Sequence, residues 1–285
     1  MSASSPVVSA RGLARMIAGD RPVRVLDVRW SLAEPDGRAA FEAGHVPGAV
    51  YVDLETELSD HSVSGRGRHP LPQGEELERA LRRWGVDDGD TIVAYDDWNR
   101  AGASRAWWVL RAAGRGDVHI LDGGLAAGRE SGGELETGRV TATSGSVSVG
   151  HRDLYSGAMP TVTADDAARL AAEGALLDAR APERFRGEIE PVDPVAGHVP
   201  GASNLPSTAV LTSDGRFRAA AELAEELSAH GVDGTRRTAT YCGSGVTAAV
   251  VVAAARRAGL DLALFPGSWS EWVSRPDAEV ETGNR

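Results

Sequence analysis

The fold class this sequence predicts is α/β, with two duplicated domains, each a mainly parallel sheet with helices on both faces. Three observations predict it. The chain has 285 residues, too long for one ordinary compact domain and well suited to two. It repeats itself at long range: Val25-Leu26-Asp27-Val28-Arg29 then Gly44-His45-Val46-Pro47-Gly48-Ala49 in the first half, Leu176-Leu177-Asp178-Ala179-Arg180 then Gly197-His198-Val199-Pro200-Gly201-Ala202 in the second. Short apolar runs alternate with amphipathic stretches throughout, the pattern of parallel strands joined by helical crossovers.

The apolar runs 23–28, 91–95, 175–178 and 238–241 read as buried strands. Helical spacing marks 75–84, 104–113, 163–173, 219–229 and 246–258. The repeat continues where Thr91 to Tyr95 matches Arg237 to Tyr241, and where Leu121-Asp122-Gly123-Gly124 matches Phe265-Pro266-Gly267-Ser268. Kept order over such a period means duplicated domains and not a solenoid. Residues 141–160, rich in Ser, Thr and Gly, read as a linker between a domain at 1–140 and another at 161–285. Thr163, followed by Asp165, Asp166 and an apolar stripe, is placed to start a helix.

Charge narrows the partners. With 41 acidic and 30 basic residues the formal net charge is −11, so neither nucleic acid nor an anionic membrane is expected as a partner. An anionic substrate would need a locally positive pocket. No apolar run reaches the about 18 residues of a membrane span, and the first residues lack a secretory pattern, which points to a cytoplasmic protein. The single cysteine excludes an intrachain disulfide and a thiolate-cluster metal site.

That cysteine, Cys242, ends an apolar strand and opens Cys242-Gly243-Ser244-Gly245-Val246-Thr247, with a strongly helical segment directly after it. Strand, glycine-containing loop and helix make an anion cradle: the glycines let backbone N–H groups turn inward, and the helix N-terminus adds positive potential. A cysteine there is expected to react as a thiolate, and the same donors would hold a terminal persulfide. The plainer alternative is a strand-to-helix turn around a buried, inert cysteine.

This loop resembles that of 3-mercaptopyruvate sulfurtransferases, relatives of thiosulfate sulfurtransferase (rhodanese), and the repeated Asp-x-Arg and Gly-His-Val-Pro-Gly-Ala motifs are signatures of the rhodanese superfamily. The resemblance implies two tandem rhodanese-like domains, the first inactive and the second catalytic. Asp96 stands at the first-domain position matching Cys242, where a carboxylate can neither attack sulfur nor hold a persulfide. By resemblance, Arg184 occupies a substrate-binding position; an arginine fork suits carboxylate or thiosulfonate oxygens. Arg180 is counted with the substrate-binding residues as well, its other role being to pair with Asp178 or a loop carbonyl. The stretch Glu190-Pro191-Val192-Asp193-Pro194 departs from the pattern, because mercaptopyruvate enzymes often carry a further arginine there.

His69 falls where the mercaptopyruvate family places a histidine that acts with the loop serine and an aspartate; the matching residues are Ser244, His69 and Asp60. The same residues leave open that His69 is a surface-loop histidine. His45 and His198 read as turn residues, since the copy beside the inactive position keeps its histidine. Trp107 and Trp108 read as helix packing.

The resemblance implies a sulfurtransferase moving sulfur from a small-molecule donor, 3-mercaptopyruvate first and thiosulfate second, to a thiol, thioredoxin-like protein or cyanide through a Cys242 persulfide. Neutral Gly243, Ser244 and Gly245 favour a monoanionic donor. No metal or organic cofactor is implied. Two rivals belong to other classes. A cysteine phosphatase needs an arginine six residues after the nucleophile, where Ala248 stands. A non-catalytic rhodanese-like binding module is the other, although such modules often lack the cysteine kept here.

Overall fold

The structure is a computed structural model that describes residues 5–130 and 134–284. It divides into two compact units: residues 1–60, 71–159 and 213–216 form the first, and 61–70, 160–212 and 217–285 the second.

In the first unit, strands β1 (Val7–Val8), β2 (Val23–Asp27), β3 (Val50–Tyr51), β4 (Thr91–Tyr95) and β5 (Val118–Leu121) form one parallel sheet in the order β1-β5-β4-β2-β3. Every residue of β4 is buried, which is why it reads as an unbroken apolar run and not as an alternating one. In the second unit, β6 (Leu176–Asp178), β7 (Ser203–Asn204), β8 (Ala239–Tyr241) and β9 (Ala263–Leu264) run parallel in the order β7-β6-β8-β9. A parallel bridge from Thr161 to Leu264 stands where β1 meets β5 in the first copy, so the two topologies coincide. The α/β fold expected from the sequence is thus present twice.

The helix expected at 163–173 begins where its sequence places it, whereas the one expected at 104–113 begins at Ala101. Ala164–Ala172 opens on a capping box in which the Thr163 side chain accepts from Asp166 N at 3.1 Å and Asp166 Oδ2 accepts from Thr163 N at 3.2 Å. Ala101–Ala112 is buried nearly all round, Trp107 and Trp108 included, so it serves as a core helix of its unit. Of residues 141–160, the linker expected from the sequence, 141–159 lie along the first unit: Val147 is fully buried, Gly145 N donates to Arg82 O at 2.8 Å, and Gly150 N to Ala113 O at 3.0 Å.

The repeated motif does the same work in both copies. His45 Nδ1 lies 2.9 Å from Phe41 O and its ring stacks on Phe41 at 3.9 Å; His198 Nδ1 lies 2.7 Å from Phe185 O and stacks on Phe185 at 3.7 Å. The following amides, of Val46 and Val199, donate to the hydroxyls of Tyr95 and Tyr241 at 3.0 and 3.1 Å. Both histidines therefore lock a turn beneath the strand that ends at the loop of interest, and neither reaches out of the core.

Candidate active site

Cys242 follows β8 directly and precedes the helix Ala248–Arg257. Position and conformation of the loop are set by three contacts. The Cys242 amide donates to Ser268 Oγ at 3.1 Å, and the carbonyls of Cys242 and Gly243 each accept at 3.0 Å, from Trp269 N and Ser270 N. Gly245 sits at φ +78°, and a Cβ there would lie 2.2 Å from Pro266 O, so only glycine fits. Gly245→Ala should therefore displace the loop. Circular dichroism should stay near wild type while the rate at which iodoacetamide alkylates Cys242 falls by about tenfold or more, because Sγ loses the Gly245 amide donor.

Cys242 lies inside this loop, 2 % exposed, with Gly245 N donating to its Sγ at 3.1 Å. Among the described residues, the amides of Gly243, Ser244, Val246 and Thr247 have no protein acceptor. They are the donors available to an anion on the cysteine. The Ser244 side chain is buried beside it, and its hydroxyl makes no hydrogen bond among the described residues. Val246 and Thr247 lead into the helix, their carbonyls accepting from Ala249 and Val250.

The first unit shows how such a loop treats a negative charge. Asp96 follows β4, is 2 % exposed, and accepts from the amides of Trp98, Arg100 and Ala103 at 3.3, 3.2 and 3.1 Å, with an ion pair to Arg100 at 3.1 Å. The copy is filled by its own carboxylate.

Beside Cys242 in the second unit lies a connected set of charges. Arg180 is buried: its Nε donates to Asp178 and its Nη2 to Asp178 and to Gly197 O, while Nη1 donates to Glu190 at 3.3 Å. Its guanidinium also lies 4.6 Å over the Trp269 ring. Burial opposes the charge, yet Asp178 holds Arg180 protonated more firmly than usual. Of the two roles open to Arg180, the structure gives it the pairing one, identical to that of Arg29 with Asp27 in the first copy.

Arg184 gives Nε and Nη2 to Glu190, at 3.2 and 2.6 Å, and Nη2 also to Asp193 at 3.4 Å. Burial works against ionised Glu190, but the Arg184 hydrogen bond and the amides of Asp193 and Val192 outweigh it and hold its carboxyl below the ordinary range. Asp193 goes the other way: burial pushes its carboxyl up, against the pull of Arg68. Arg68 Nη1 is ion-paired with Asp193. His69, next in the chain, is 5 % exposed and not a surface-loop residue, with its ring edge-on to His61 at 5.8 Å. Asp60 closes the first unit's segment 1–60.

Sequence reasoning missed Arg68, Glu190 and Ser268. Ser268 had a signal: it aligns with Gly124, and both take left-handed backbone, at φ +54° and +57°. A side chain is tolerated in the second copy because its oxygen holds the Cys242 amide and donates to Phe265 O at 2.9 Å.

Comparison with known proteins agrees with this geometry. The rhodanese-like domain family matches twice, over residues 9–131 and 163–275. A Mycobacterium tuberculosis protein provisionally named thiosulfate sulfurtransferase SseB is 56% identical over 97% of each chain. A Pseudomonas aeruginosa protein, provisionally named 3-mercaptopyruvate sulfurtransferase, is 41% identical over 99% of each. The crystal structure of SseA from Escherichia coli, reported with the rhodanese fold and mechanism of 3-mercaptopyruvate sulfotransferases, superposes with a TM-score of 0.79 at 32% identity, covering 94% of this chain and 100% of its own.

Proposed function

The chain belongs to the rhodanese family and is a sulfurtransferase of two rhodanese-like domains, and we propose that it moves sulfur from 3-mercaptopyruvate to a thiophilic acceptor through a persulfide on Cys242. The observation that carries this reading is the loop around Cys242: one amide bonded to Sγ at 3.1 Å and four more without protein acceptors. Such a loop stabilises a charged sulfur and a persulfide alike.

In the first half-reaction, Cys242 Sγ attacks the donor sulfur, the sulfur–carbon bond breaks, and pyruvate leaves as its enolate, which takes up a proton. In the second, an acceptor thiolate or cyanide attacks the outer sulfur and the Cys242 thiolate departs. The acceptor is a small thiol or a thioredoxin-like protein, and ping-pong kinetics follow from the shared covalent intermediate. Ser244, with its hydroxyl uncommitted to protein, is the group next to Cys242 that can pass the enolate its proton. His69 and Asp60 complete this relay on their sequence positions. Gly243 and Gly245 shape the cradle, Val246 and Thr247 extend it, and Arg184 holds the donor. The second domain carries the catalysis and the first is inactive. Among the described residues no helix is long and apolar enough to cross a membrane, and a cytoplasmic location belongs to this reading.

Charge supports 3-mercaptopyruvate. Arg68, Arg180 and Arg184 are matched by Asp178, Glu190 and Asp193. A balanced cluster accepts a monoanion more readily than a dianion in a partly buried site. The name of the 56% identical relative favours thiosulfate as the second reading. Steady-state kcat/KM with both donors tests the choice; a higher value for thiosulfate would reverse it. Mass spectrometry of donor-treated protein tests the persulfide itself, and no gain of one sulfur would leave a non-catalytic binding module. Arg184→Ala should raise the donor KM by about tenfold or more with a smaller change in kcat, because a charge-assisted fork is lost. An unchanged KM for both donors would remove Arg184 from the binding site.

A further inference from the structure

Two guanidiniums face the loop that carries Cys242. A Cβ built on Gly243 would lie 3.1 Å from Arg68 Nη2 and 3.6 Å from Nη1 and Nη2 of Arg184. Arg68 comes from residues 61–70, remote in sequence from the Cys242 loop and from Arg184 yet within the second unit. Its place there is built by close approach. Gly67 takes φ +80°, and a Cβ on it would sit 2.4 Å from Gly267 O, so a bulkier residue would lift the segment away. The Arg68 amide then donates to Ser270 Oγ at 3.0 Å, and Ser270 N is bound to the Gly243 carbonyl.

The two side chains divide their donors alike. Arg68 Nη1 pairs with Asp193, while Arg184 Nε and Nη2 pair with Glu190 and Asp193. Among the described residues, Arg68 Nη2 and Arg184 Nη1 have no hydrogen-bond partner, and these are the atoms that converge on Gly243. The carboxylates on the far side fix both planes, which lowers the entropy cost of ordering long side chains around a ligand.

We propose that Arg68 is a substrate-binding residue, and that Arg68 Nη2 and Arg184 Nη1 form a two-armed clamp for the donor's carboxylate beside Cys242. This rests on the reading of Cys242 as acceptor of sulfur from an anionic donor. A planar carboxylate has two oxygens, one for each arm. Asp193 and Glu190 are the positioning carboxylates. With three arginines balanced by three carboxylates in the cluster, the clamp recognises one added negative charge and resists two.

The test separates the clamp from sulfur transfer. Cys242 is alkylated with iodoacetate and with iodoacetamide, reagents of equal leaving group and near-equal size that differ in a carboxylate, and the ratio of their rates is taken. The ratio cancels changes in thiol reactivity and needs no sulfur donor. Arg68→Met should lower it by about tenfold or more, the scale of a lost hydrogen bond to a charged group. Arg68→Lys keeps a charge opposite Asp193 but has no second arm, so it should lower the ratio as well and guards against a folding defect in the Met variant. A wild-type ratio in either variant overturns the clamp. Sulfur uptake by the wild-type protein is measured alongside: its absence would refute the sulfur-transfer reading, and the alkylation ratios would still decide the role of Arg68.

Discussion

Cys242→Ser should abolish sulfur transfer, lowering kcat/KM by on the order of 10⁴-fold or more, while leaving the fold intact. The hydroxyl is a far weaker nucleophile at neutral pH and cannot carry a second sulfur. The folded state should tolerate it because the site already offers a hydrogen bond: Gly245 N, now 3.1 Å from Sγ, can donate to the new oxygen. The buried hydroxyl is thereby satisfied, and the midpoint of denaturant unfolding should move little. Assays with 3-mercaptopyruvate and thiosulfate, paired with mass spectrometry, measure this. Turnover retained in the variant would mean that sulfur travels by a route that avoids the only cysteine of the chain.

The second large effect is on stability. Asp96→Ala should destabilise the protein by about 3–5 kcal/mol, the usual result of removing one partner from a buried ion pair. Arg100 is 2 % exposed and pairs with Asp96 at 3.1 Å, and three backbone amides also lose their acceptor. The sequence suggests only that this residue is dispensable for catalysis, and that expectation stands beside the new one. At a temperature where the variant is folded, kcat should remain within about tenfold of wild type, or about 1.4 kcal/mol in the barrier. Urea unfolding followed by fluorescence reads the first quantity and steady-state assays the second. A variant as stable as wild type would show that the first unit's loop does not depend on its internal anion. A large loss of kcat in folded protein would show that the first domain shares in the chemistry.

The contrast between Asp96 and Cys242 shows why one scaffold serves both. In each copy the residue directly after a buried strand, Asp96 or Cys242, sets its side chain in a loop of inward amides. In the first the side chain is itself the anion, so the loop is satisfied on folding. In the second, four amides remain without protein acceptors, and these are available to a charged sulfur.

The fold was legible in the sequence because its signals are local and doubled. Fully buried strands such as Thr91–Tyr95 stand out as apolar runs, and the duplication turned each motif into a check on its partner. Val7–Val8, Val50–Tyr51, Ser203–Asn204 and Ala263–Leu264 were not read as strands, since two residues carry no periodicity and only pairing defines them. Val118–Leu121 escaped for a related reason: His119 interrupts a run of four.

For the site, the sequence by itself determined what lies close along the chain: the cysteine after a strand end, the glycines that the loop demands, the pairing of Arg180 with Asp178, and Arg184 four residues further on. Those follow from backbone geometry and short-range charge, which the order of residues encodes. Only the tertiary structure decided which side chains meet across long intervals. Arg68 reaches Asp193 and the face of Gly243 over more than a hundred residues, and Ser268 caps the Cys242 amide. No local pattern predicts such contacts, because a charged or hydroxyl side chain looks the same in sequence whether it faces water or is held by a buried partner. The close approach of Gly67 to Gly267 makes that choice for Arg68, by setting its guanidinium against Asp193, a buried partner far away along the chain.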